Sequence, residues 1–87
     1  MSDAENRGSE TQERESKALA ILARLSGKPV ESLVPGMDLV GDLGIDSPKA
    51  LEFLLELEEA LGIEIEDEDA GSMETVGDVI AYVGQVG

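Results

Sequence analysis

At 87 residues with 41% apolar residues and no cysteine, the chain is a single small domain held by a packed apolar core, without disulfides or a cysteine zinc site. It has no histidine, no tryptophan, one phenylalanine (Phe53) and one tyrosine (Tyr82). It therefore lacks the usual neutral-pH acid/base group and the aromatic platforms on which single-stranded nucleic acid stacks. Twenty acidic residues against six basic ones give a net charge of −14, which repels a nucleic-acid backbone and an anionic membrane surface alike.

Residues 1–10 are polar, with Gly8 and two serines, and read as a flexible tail ahead of a folded unit spanning 11–87. No window approaches the ~20 apolar residues of a membrane span, and the N-terminus is not signal-like, so a soluble, cytoplasmic monomer is expected. Thr11 fits an N-cap, with Glu13 and Glu15 suited to the positive end of a helix dipole. Ala18, Ile21, Leu22 and Leu25 then recur at helical spacing until Gly27 and Pro29 stop the run. A long connection follows from Lys28 to Asp46. Its apolar residues, Val30 and Val34 through Leu39, Val40, Leu43 and Ile45, predict a segment packed on the bundle, with a short helical turn at Val30–Val34.

The second helix is the clearest element. Ser47 fits the N-cap and Pro48 the first helical position, where a missing N–H costs nothing. Ala50, Leu54, Leu57 and Leu61 form a stripe, widened by Leu51 and Leu55, and Gly62 ends the run. Lys49, Glu52, Glu56 and Glu59 fall on the opposite face. Glu58 lies beside the stripe and is expected to reach solvent near the helix end. Phe53 lies off the stripe, either at the edge of the core or on an outer surface. The acidic run Glu66 to Asp69 predicts a short helix or turn. The last helix begins near Thr75 with Asp78 as its capping-box acid, and buries Val76, Val79, Ile80 and Val83. The expected fold is an all-α, small four-helix bundle: three main helices, a short third one, and a long packed loop between helices one and two.

The stretch Gly41-Asp42-Leu43-Gly44-Ile45-Asp46-Ser47 places a serine at the start of a helix, where unsatisfied N–H groups and the dipole favour a phosphate ester. Most serines in this position are caps and nothing more. A calcium reading of Asp38, Asp42 and Asp46 fails, because Val40, Leu43 and Lys49 stand where an EF-hand loop needs ligands, glycine and glutamate. Without histidine or cysteine beside the carboxylates, an enzyme is the least favoured class.

Several blocks together carry more. Gly44-Ile45-Asp46-Ser47, preceded by Asp42-Leu43, resembles the serine motif that opens the second helix in the carrier proteins of fatty-acid, polyketide and nonribosomal-peptide synthesis. The likeness continues through Glu52-Phe53-Leu54-Leu55-Glu56-Leu57-Glu58-Glu59, Leu61-Gly62-Ile63-Glu64-Ile65 and Thr75-Val76-Gly77-Asp78-Val79-Ile80-Ala81-Tyr82-Val83. It covers about residues 13–83. The resemblance implies a 4'-phosphopantetheine arm on Ser47, installed from coenzyme A by a phosphopantetheinyl transferase that recognises Asp46. It also implies that the arm's thiol holds an acyl or aminoacyl group as a thioester. Loading and biosynthetic enzymes with basic docking patches would then meet Pro48, Lys49, Glu52, Glu56 and Glu59, although those acids equally suit a solvated helix face. The family most often has leucine, or another large apolar residue, after the serine. Pro48 keeps the helix start but alters that contact, which points toward specialised-metabolite synthesis rather than housekeeping fatty-acid synthesis. The competing reading is an acidic, carrier-like interaction module that is never loaded.

Overall fold

The computed structural model describes residues 3–85, with side chains from Thr11 onward. Four helices follow in order: α1 (Asp3–Ser26), α2 (Ser47–Leu61), α3 (Asp67–Ser72) and α4 (Val76–Gln85), with a single 3-10 turn at Val30–Ser32 after α1. Among the described residues there is no strand, only an isolated antiparallel bridge between Asp38 and Thr75. The four-helix all-α bundle expected from periodicity is the fold found, and the helical turn at Val30 and the short acidic helix are both present.

The core joins Ala18 and Leu22 of α1, Phe53 and Leu57 of α2, and Val76, Val79 and Val83 of α4 to Leu39, Leu43 and Ile45 of the loop. Helix α1 packs against both α2 and α4. Helix α3 buries no residue fully, so it covers the core's edge rather than building it. The loop between α1 and α2 is stitched to the start of α4. Leu39 N–H donates to Glu74 O at 2.9 Å, Val76 N–H to Met37 O at 3.0 Å, and Gly77 N–H to Pro35 O at 2.9 Å. Glycine favours that last contact, because a Cβ on residue 77 would crowd the Pro35 carbonyl oxygen at 3.0 Å and push the two segments apart. The capping box of α4 is complete. Asp78 N–H donates to Thr75 Oγ1 at 3.1 Å, and Asp78 Oδ2 accepts from the N–H of Glu74 at 3.1 Å and of Thr75 at 3.2 Å.

Four local expectations are corrected. Helix α1 starts at Asp3, so Thr11 lies inside it instead of capping it. Ala4, Glu5, Glu10, Gln12 and Glu13 are strong helix formers, and Gly8 alone does not break such a run. In the loop, Val40 is 70% exposed, and Val30 and Val34 are also outside the core. In α2 the apolar stripe widens toward Phe53, which is 2% exposed, while Leu51 and Leu55 are 60% and 55% exposed. The cause is the packed loop, whose Leu39 and Ile45 line a cavity together with Phe53 and so cover that flank of the helix. Glu58 does not run out into solvent: half-buried, its Oε2 accepts from the N–H of Ile65 at 2.7 Å and secures the chain leaving α2.

Candidate attachment site

The start of α2 is aimed by the turn before it. Asp38 O accepts from the N–H groups of Asp42 at 3.0 Å and Leu43 at 3.1 Å, while Asp42 Oδ2 accepts from Asp38 N–H at 2.8 Å. The Asp42 carboxylate is thus engaged by its own backbone turn. Gly44, at φ 67°, reverses the chain in the left-handed region that residues with a Cβ avoid. This reversal drops Leu43 and Ile45 on either side of it into the core, and Ile45 N–H donates to Leu39 O at 2.8 Å. The backbone is therefore fixed two residues ahead of Ser47.

Asp46, not Ser47, caps α2. It is extended, its Oδ1 accepts from Lys49 N–H at 3.2 Å, and its carbonyl accepts the first helical bond from Ala50 N–H at 2.7 Å. An ionised carboxylate outcompetes the neighbouring hydroxyl at the positive end of a helix, because its hydrogen bond is charge-assisted. Ser47 is consequently the first helical residue and Pro48 the second, so the helix begins one residue earlier than the cap preferences of Ser47 and Pro48 suggested. Pro48 still sits among the first four N–H groups, which lack helical partners, so its missing donor costs nothing. The shift matters chemically. Ser47 is exposed, and among the described residues no hydrogen bond holds its hydroxyl. A phosphate ester placed there meets the positive end of α2.

Lys49, Glu52, Glu56 and Glu59 lie within an arc of about 80° on α2 at 100° per residue. Pro48, Lys49, Glu52 and Glu59 are exposed. Glu56 differs from these. Its Oε1 is paired with the Arg24 guanidinium of α1, and its Oε2 is buried with no hydrogen-bond partner among the described residues. Sequence reasoning missed Arg24, the exposed pair Leu51 and Leu55, and an apolar cavity of ≈ 80 Å³ between the loop, α2 and α3. Ala50, Phe53 and Leu54 line this cavity from α2, Leu39 and Ile45 from the loop, and Ala70 and Met73 from the α3 side. The surplus of leucines in α2 beyond one stripe was the available signal for the exposed pair. Nothing local in the sequence signals the cavity, which arises from three segments distant along the chain.

Residues 16–83 match the family described as the phosphopantetheine attachment site. Over 70 residues the chain is 43% identical to an acyl carrier protein of Desulforapulum autotrophicum, an alignment covering 79% of this chain and 91% of that protein. This chain belongs to the acyl carrier protein family. An acyl carrier protein of Rickettsia bellii is 33% identical over 69 residues, covering 79% of this chain and 85% of the relative. Among solved structures, the acyl carrier protein of Enterococcus faecalis superposes with a TM-score of 0.74 at 34% identity, covering 85% of this chain and 94% of that one. Acyl carrier proteins bear a phosphopantetheine arm and work as carriers without catalysis of their own. Among the described residues no helix is long and apolar enough to cross a membrane.

Proposed function

We propose that Ser47 Oγ is the attachment point of the 4'-phosphopantetheine arm, and that residues 11–87 form the carrier domain that presents an acyl thioester to partner enzymes. The observation that carries this is the cap exchange at α2: Asp46 takes the capping bond and leaves the Ser47 hydroxyl exposed and unengaged. A transferase moves phosphopantetheine from coenzyme A to that oxygen, forming a phosphodiester and releasing adenosine 3',5'-bisphosphate and the hydroxyl proton. Asp46 keeps its carboxylate at the site edge, where the transferase recognises it. The arm, once attached, supplies the thiol that this cysteine-free chain lacks. Ile45 and the loop hold the attachment point in place, and the apolar cavity beside α2 offers an acyl tail a site shielded from water.

Partners with basic patches dock on the first turns and acidic side of α2, meeting Pro48, Lys49, Glu52, Glu56 and Glu59, with Leu51 and Leu55 as exposed apolar neighbours. Proline where the family usually has a large flexible apolar side chain supports a specialised-metabolite pathway over housekeeping fatty-acid synthesis. The deciding experiment incubates the chain and a Ser47→Ala variant with coenzyme A, Mg²⁺ and a broad-specificity phosphopantetheinyl transferase, and reads intact mass. A phosphopantetheine-sized gain in the parent alone is expected. No gain with several transferases sinks the reading in favour of an unloaded interaction module. Once loaded, charging by fatty-acid enzymes and by polyketide or nonribosomal-peptide loading enzymes can be compared directly. Preferential charging by the fatty-acid set overturns the specialised assignment.

A further inference from the structure

Three of the chain's six basic residues lie on one side of α1. Within the described part of α1, Arg14, Lys17 and Arg24 fall inside an arc of about 80° at 100° per residue. That arc runs beside α2. Arg14 and Lys17 border a depression with Ala60 and Leu61 at the C-terminal end of α2, and Arg24 lies among Glu52, Leu55, Glu56 and Glu59 further back. The two helices are thus antiparallel along a seam where α1 brings Arg14 and Lys17, with Glu13 beside them, to the end of α2, and Arg24 to its acidic stretch.

Arg24 makes the contact across that seam. It pairs with Glu56 Oε1, and the other Glu56 oxygen is buried with no hydrogen-bond partner among the described residues, so one oxygen is already engaged and the other is withheld from an incoming cation. The glutamate side chain retains 32% exposure and the arginine 57%, so the guanidinium is the more accessible member of the pair. A basic partner surface approaching α2 meets Glu52 and Glu59 as free carboxylates, but at Glu56 it meets a cation already in place.

We propose that Arg24 is a specificity-determining residue that competes with partners for Glu56 and so weakens and selects docking on α2. The inference rests on the docking role proposed above for the acids of α2. A partner cation must displace Arg24 or do without Glu56. Partners whose basic groups match the Glu52 and Glu59 positions are favoured, and those that require all three carboxylates are disfavoured. Because an exposed pair is worth little, the competition is a tuning device rather than a lock.

The test uses the full chain in a Ser47→Ala background, so that affinity for a broad-specificity phosphopantetheinyl transferase is measured by titration calorimetry independently of loading. Arg24→Met keeps most of the side-chain stem while removing the charge. It is expected to tighten Kd by about two- to fivefold at low salt, the range set by an exposed ion pair, with the gain fading at high salt. Glu56→Gln alone is expected to weaken binding less than Glu52→Gln or Glu59→Gln does, and to cost more in the Arg24→Met background. Glu52→Gln and Glu59→Gln are expected to weaken it in either background. If those two weaken binding while Arg24→Met does not tighten it, or if Glu56→Gln alone costs as much as they do, the competition is overturned and the docking surface stands. If Glu52→Gln and Glu59→Gln have no effect, or the parent does not bind, the docking role falls and this inference falls with it. Thermal melts of each variant identify any that is unfolded. Should Arg24→Met be one of them, the single Glu56→Gln comparison still decides.

Discussion

Asp46 carries a charge and accepts a hydrogen bond, and substitution can separate the two properties. An asparagine in its place would keep an accepting oxygen for Lys49 N–H, so Asp46→Asn should hold stability within about 0.5 kcal/mol while slowing loading. Asp46→Ala loses the cap as well and should cost about 1 kcal/mol. Thermal denaturation alongside the initial rate of mass gain reads both effects. Equal loading by the aspartate and asparagine forms would remove the carboxylate from transferase recognition. At this scale the sequence shows the residues of the site but not their assignment. Two good capping residues stand side by side at 46 and 47, and only the backbone distinguishes them: Asp46 is extended, with its carbonyl accepting from Ala50. Arg24 and Glu56 are separated by 32 positions, so no local pattern pairs them.

Among the elements, α2 separates what periodicity can show from what it cannot. The spacing of Ala50, Leu54, Leu57 and Leu61 identifies a helix and one buried side. Which flank is covered next depends on the loop, and the loop chooses Phe53. Phe53→Ala should therefore cost about 3 kcal/mol or more, and Leu55→Ala no more than about 0.5 kcal/mol, as measured by urea denaturation. Similar costs for the two would mean that the exposed flank is misassigned. The capping box of α4 was legible because its two partners are three residues apart, and it makes a pH prediction. Hydrogen bonds from the N–H of Glu74 first and Thr75 second, with the Thr75 hydroxyl adding to them, hold the Asp78 carboxyl below the usual aspartate value. A folded-state value below the unfolded one gives stability that is present above the unfolded pKa and is lost as pH falls through the lower folded value. The melting temperature of Asp78→Ala should thus lie below the parent's at neutral pH and converge on it in strong acid. A gap independent of pH would mean that the ionised form of Asp78 adds nothing.

At the scale of the whole molecule, net charge −14 and a core shared by three helices and a loop describe a small bundle that faces its partners with a strong field. That all-α organisation was readable from the sequence, because each main helix carries its own periodic stripe. The loop's path was not, since its anchors lie on other segments. The stitching of Pro35, Met37 and Leu39 to Glu74, Val76 and Gly77 ties the turn that aims Ser47 to residues near the far end of the chain. A ribosome makes Ser47 well before it makes those anchors. Until Glu74 to Gly77 have emerged, the turn has only its own bonds within residues 38–45 and lacks its tie to the rest of the bundle, so the serine is less firmly placed. Nascent chains cut short before Glu74 should take up little phosphopantetheine when their mass is measured after exposure to transferase and coenzyme A. Uptake equal to that of the full chain would mean the turn forms unaided. In the cell, the first outcome sets an order of events in which a carrier is armed only after it has been made whole.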